Sequence, residues 1–171
     1  MKQLVIPALL AVLIAGCSST PETGAQQNPA DVETRVRTVN TDGVGGVKLP
    51  PELTDPKSIL SKRSVYFDYD KFEIKAEYKD LVAAHAKFLS NNRQFKMLIQ
   101  GNTDERGSRE YNLALGQKRA DAVKKALMLL GVREEQLESV SLGEEKPSCV
   151  DATEECWAKN RRGDMLYSGE F

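Results

Sequence analysis

Apolar and polar positions alternate along the second half of the chain in two distinct periods, and the changes between them predict seven elements. Ser64-Val65-Tyr66-Phe67-Asp68 is a short β-type run that closes on an Asp-Tyr-Asp turn. From Ala76 to Asn91 the positions Leu81, Ala84, His85, Phe88 and Leu89 recur at helical spacing, and Asn91-Asn92 suits a helix end. Phe95–Gln100 returns to a strand pattern. A longer helix is expected over Tyr111–Leu130, with Leu113, Gly116, Ala120, Val123 and Leu127 on one face and Gly131 as its stop. Leu137–Leu142 predicts a third strand, Thr153–Asn160 a short helix and Asp164–Tyr167 a last strand. The order βαβαβαβ predicts a two-layer α/β sandwich, a small mixed sheet with helices on one face. Right-handed crossovers would bring Asp68, at the end of the first strand, and Asp104, after the second, to one rim.

Before these elements the pattern is different. Between Ser18 and Lys57 lie five of the seven prolines, four glycines and no aromatic residue. Such a stretch buries too little apolar surface to offset its ordering entropy, so 17–57 reads as a flexible tether and 58–171 as the folded domain. Within the tether, Thr34–Val39 carries enough β-branched character to pair with a strand edge, although a solvated linker is the plainer reading. Residues 1–16 combine Lys2 with the apolar run Leu4–Ala15, too short for a transmembrane helix and suited to an export signal. Leu13-Ile14-Ala15-Gly16-Cys17 resembles a bacterial lipobox, which implies acylation of Cys17; an ordinary signal with a chance cysteine is the alternative. Ser18, where an aspartate would resemble a retention signal, favours the outer membrane, with the domain in the periplasm.

Charge narrows the partners. The chain has 24 basic and 25 acidic side chains, and losing residues 1–16 removes one lysine, so no basic excess draws it to nucleic acid. Cys149 and Cys156 lie beyond the export signal, in an oxidising compartment, and are expected to form a disulfide. A metal site is the rival reading, but no second pair of ligands accompanies them, and no metal or cofactor is expected. Trp157, next to Cys156, is expected to anchor the core beneath the loop, the alternative being an exposed tryptophan that serves a partner.

Candidate chemistry concentrates in Gly101–Ala120, GNTDERGSREYNLALGQKRA. A polar turn runs into the longer helix, placing Asp104 and Arg119 near one helix N-terminus, a place suited to a ligand carrying both charges. Asp104 has a plainer role as a turn cap, and Arg119 as a surface ion-pair partner. Arg119 falls at the margin of the expected apolar face, where a guanidinium is half buried and still offers its fork.

The same stretch resembles the signature TD-x-x-G-x-x-x-YN-x-x-L-x-x-x-RA of the OmpA-like peptidoglycan-binding domain, and the resemblance runs from about Val65 to Tyr167. It implies a ligand, the diaminopimelate stem peptide of peptidoglycan, whose side chain ends in an ammonium and a carboxylate on one carbon. By that likeness Asp104 receives the ammonium and Arg119 the carboxylate. Asp68 is a further groove residue, and Arg106, Tyr111 and Leu115 stand on the wall. Asn160-Arg161-Arg162 matches the family's NRR, with pairing across the sheet rim as its structural role. Asn102 replaces a common His at the groove edge. Lipobox, tether and one such domain together resemble the Tol-system lipoproteins of this family, which implies TolB and other Tol-complex proteins as partners, on a surface overlapping the groove. An OmpA-like lipoprotein of a secretion or motility machine, or a protein-interaction module, is the alternative. An enzyme is disfavoured: the lone His85 sits on an apolar stripe, and nearby Arg106 and Arg119 should keep Asp68 and Asp104 ionised.

Overall fold

The computed structural model of the chain describes residues 48–171. The expected leader, Cys17, most of the expected tether and the Thr34–Val39 stretch lie outside the described residues. The packed region begins earlier than the expected boundary at 58. A short helix, α1 (Pro51–Thr54), buries Leu53 in the core, and the Leu53 carbonyl accepts a 2.9 Å hydrogen bond from Arg63 Nη2. The prolines that read as linker punctuation instead start this turn, with Pro51 at its first position.

Four strands form one mixed sheet: β1 (Ser64–Tyr66), β2 (Met97–Asn102), β3 (Leu137–Gly143) and β4 (Arg162–Tyr167), in the order β1-β4-β2-β3. β4 is antiparallel to both β1 and β2, pairing Val65 with Gly163 and Ile99 with Met165. β2 and β3 are parallel, with Ile99 opposite Ser139. The C-terminal ends of β1, β2 and β3 and the start of β4 therefore share one rim, as the crossover argument requires. Helices α2 (Lys79–Asn91), α3 (Arg109–Leu129) and α4 (Glu154–Asn160) complete the expected order. Alternation along the strands buries Val65, Met97, Ile99, Met165 and Tyr167, which meet Leu81, Val82, Phe88 and Leu89 of α2 and Ala120, Val123 and Leu127 of α3.

The long helix corrects one expectation. Leu113, placed on its buried face by pattern, is 53% exposed, whereas Asn112 and Leu115 are buried. Exchanging Leu113 for those two turns the buried face so that Arg119 lies roughly 40° from its centre rather than at its margin. Arg119 is 0% exposed. A polar Asn and a charged Arg on the core side disguised the true face.

Contact between α3 and β2 is close because two glycines meet there. A Cβ on Gly101 would collide with the Gly116 carbonyl, and one on Gly116 would run into Ser141 Oγ. This approach sets Arg119, three residues beyond Gly116, against the end of β2. Ser108 caps α3, its hydroxyl accepting from the Tyr111 N–H.

Candidate functional site

The β2–α3 loop follows the sheet rim. Thr103 N–H donates to the Gly143 carbonyl at 2.8 Å, and the next residue turns Asp104 inward, where it is 3% exposed. Asp104 Oδ1 accepts from the Arg106 backbone N–H at 3.1 Å and closes the turn. Arg106 folds back onto the same carboxylate through Nε at 3.3 Å and Nη2 at 2.7 Å. Arg161, just before β4, donates to Asp104 Oδ2 through Nη1 at 3.2 Å and to Glu154 through Nη2 at 2.7 Å. Burial alone would raise the Asp104 pKa, but the hydrogen bonds from Arg106 and Arg161 outweigh it and hold the carboxylate below its usual range.

Arg119 is held differently. Its Nε donates to the Lys71 carbonyl at 2.8 Å, Nη1 to Asn102 at 2.8 Å and Nη2 to Asp68 at 3.2 Å. Of the five N–H groups of a guanidinium, one on each Nη is left over. Among the described residues no carboxylate lies within ion-pair distance of it. Burial lowers its pKa to about 10, which leaves it charged at neutral pH. Carbonyls of the loop after β1 and of the end of β2 thus hold a buried cation that forms no ion pair among the described residues.

Asp104 and Arg119 line one small cavity of about 20 Å³ at the rim, with Arg106, Tyr111 and Leu115 also on its wall. Five of the six expected site residues are brought together. Asp68 is not among them. Its side chain is 67% exposed and pairs with Lys75 at 2.7 Å; that hydrogen bond, chiefly, lowers its pKa. The backbone of Asp68 serves the site, through the carbonyl that binds Arg119, while its side chain falls on the outward face with Tyr66, alternating with buried Val65 and Phe67. The arginine neighbours expected to keep the carboxylates ionised are also reassigned: Arg106 and Arg161 for Asp104, Lys75 for Asp68.

Other residues enter that pattern alone did not place. Tyr69 and Asp70 line the cavity from the Asp-Tyr-Asp turn, where Asp70 adopts φ 57° and accepts a hydrogen bond from the Tyr111 hydroxyl. Arg161 of the NRR stretch is a site residue, whereas Arg162 pairs with Asp164 at 2.9 Å along β4 itself. Asn102 is buried and gives its side chain to Gln100 and Asp164, away from the groove; its carbonyl meets Arg119. Trp157 is no core anchor. It is half buried, donates Nε1–H to Glu105 at 3.0 Å and lies against Arg106. Cys149 and Cys156 are disulfide-bonded and tie the preceding loop to α4. His85 is fully buried; Nε2–H donates to the Lys62 carbonyl and Nδ1 accepts from Tyr167, since a carbonyl can only accept.

The model of the OmpA family matches residues 66–161, more than half of the chain and the whole span that carries this geometry. The chain belongs to the OmpA family. A peptidoglycan-associated lipoprotein of Pasteurella multocida is 49% identical over 104 residues, covering 61% of this chain and 69% of its own. A peptidoglycan-associated lipoprotein of Pseudomonas putida is 39% identical over 158 residues and 92% of each chain. The crystal structure of the peptidoglycan-associated lipoprotein from Burkholderia pseudomallei superposes with a TM-score of 0.67 at 56% identity, over 68% of this chain and 98% of that one. The OmpA-family span takes in Asp104, Arg106, Tyr111, Leu115 and Arg119, and it ends at Arg161.

Proposed function

We propose that this chain is an outer-membrane lipoprotein that holds peptidoglycan non-covalently through the diaminopimelate stem peptide. It would bind and not transform its ligand. The observation that carries this reading is the unneutralised, carbonyl-held Arg119 guanidinium in the same cavity as Asp104. A zwitterionic group with an ammonium and a carboxylate on one carbon complements that pair: the carboxylate meets the two free Nη N–H groups, and the ammonium meets Asp104. The Pasteurella, Pseudomonas and Burkholderia relatives are named as peptidoglycan-associated lipoproteins, which supports peptidoglycan as the polymer bound. Acylated Cys17 would anchor the chain in the outer membrane, and residues 17–47 would give the domain its reach to the wall. TolB and the other Tol proteins are the proposed partners, competing for the same rim.

Titration with two synthetic stem peptides, one with diaminopimelate and one with lysine, tests the ligand. Lysine keeps the ammonium but lacks the second carboxylate, and its peptide should bind roughly 10–100-fold more weakly, the worth of a charge-assisted hydrogen bond pair. Equal binding would remove Arg119 from the ligand's description.

A further inference from the structure

A ligand's ammonium must reach a carboxylate that is 3% exposed and already bonded by two arginines. The arrangement around Arg106 supplies the answer. Its Cζ lies 4.2 Å from the centre of the Tyr69 ring and 4.1 Å from that of Trp157, so the guanidinium is sandwiched between two aromatic faces. Both distances are well inside the reach of a cation–π contact. The third side is the Asp104 carboxylate, at 2.7 Å from Nη2. Two π faces and one carboxylate make a receptor for a cation, and here a side chain of the same protein fills it.

We propose that Tyr69, Trp157 and Asp104 form a cage for the ligand's primary ammonium group, and that Arg106 occupies this cage until the ligand displaces it. The proposal rests on the stem-peptide reading and adds to it two aromatic walls and an internal competitor. Arg106 is the removable member of the site. It stands on the loop that ends at Gly107, whose φ of 116° turns the chain into α3, and its side chain is 29% exposed. It also has somewhere to go. Glu154 Oε2 lies 3.5 Å from Arg106 Nη1, on a carboxylate that is 59% exposed. A swing onto Glu154 keeps the guanidinium paired while the cage empties. Arg161 is 7% exposed and bonded to the Phe67 carbonyl, so it stays as the fixed counter-charge of Asp104.

The two arginines thereby divide the work. Arg119 is fixed and faces the ligand's carboxylate; Arg106 is exchangeable and stands in for its ammonium. A neutral ligand cannot replace a cation between two rings and a carboxylate, so the internal competitor also selects for charge. It taxes every ligand by the fraction of time the cage is occupied.

The test uses the protein's single tryptophan. Trp157 fluorescence should change on titration with a diaminopimelate stem peptide, and the same titration gives the affinity. Arg106→Gln should bind about tenfold more tightly if the guanidinium fills the cage nine-tenths of the time. Tyr69→Leu, at an exposed loop position, should weaken binding several-fold while Tyr69→Phe retains it, and it serves even if Arg106→Gln is poorly folded. Weaker binding by a folded Arg106→Gln, or full affinity in Tyr69→Leu, would overturn the cage. Asp104→Asn separates the two readings: if it binds as wild type does, the stem-peptide site itself is wrong, whereas loss of binding there with no gain in Arg106→Gln rejects the cage alone.

Discussion

Asp104 and Arg119 line one cavity without forming an ion pair with each other. Opposite charges this close would ordinarily neutralise one another. Here backbone carbonyls hold Arg119 and two other arginines hold Asp104, so an anion site and a cation site stay separate, side by side. Replacing Asp104 with Asn removes the anion and leaves the shape. Affinity for a diaminopimelate stem peptide should fall by about 2–3 kcal/mol, the cost of breaking a desolvated charge pair, read by calorimetric titration.

Arg119 carries structure as well as charge. Its three bonds tie the loop after β1, at Asp68 and Lys71, to the end of β2 at Asn102. Arg119→Lys keeps the charge but cannot reach three carbonyls from one fork. It should destabilise the fold by about 1–3 kcal/mol, measured by urea unfolding, because buried carbonyls lose their donors.

The glycine pair under α3 leaves no room for even a methyl group. Gly101→Ala forces the helix off β2, because the obstacle is the Gly116 backbone rather than a side chain that can rotate. A loss of about 3 kcal/mol is expected in the same unfolding assay. The contrast is Gly131→Ala, which meets no neighbour and suffers only from its positive φ.

His85 makes stability depend on pH. Burial lowers its pKa from 6.5 to about 4, outweighing the raising effect of its bond to the Lys62 carbonyl. The unfolded chain therefore takes up the proton first as pH falls. The contribution of the neutral ring is complete above about pH 6.5 and is lost progressively down to about pH 4, up to roughly 3 kcal/mol. Denaturant midpoints at pH 7.5 and pH 4.5 should show the loss in wild type and a smaller one in His85→Gln.

Much of this was legible in the sequence, for reasons that also mark where it stopped. Strand alternation and the helical stripe of α2 placed the sheet and its rim, because burial there is decided by apolar side chains. α3 was misjudged at Leu113 because its buried face carries Asn112 and Arg119, whose burial depends on carbonyls from distant loops. The TDERG turn led to Asp104 and Arg106, but not to the sandwich of Arg106 between Tyr69 and Trp157, residues 88 apart in the chain. Asp68 points outward because it shares the face of exposed Tyr66, opposite buried Val65 and Phe67, an alternation that its place at a strand end hid. Leu53 joined the core from a segment whose prolines read as tether.

The central claim is retention on the wall through Asp104 and Arg119, and co-sedimentation tests it most directly. The protein should pellet with purified diaminopimelate-type walls, remain in the supernatant with lysine-type walls, and lose the first behaviour in a folded Asp104→Ala variant. Pelleting of Asp104→Ala equal to wild type, or no pelleting of the wild type with diaminopimelate walls, would contradict the account.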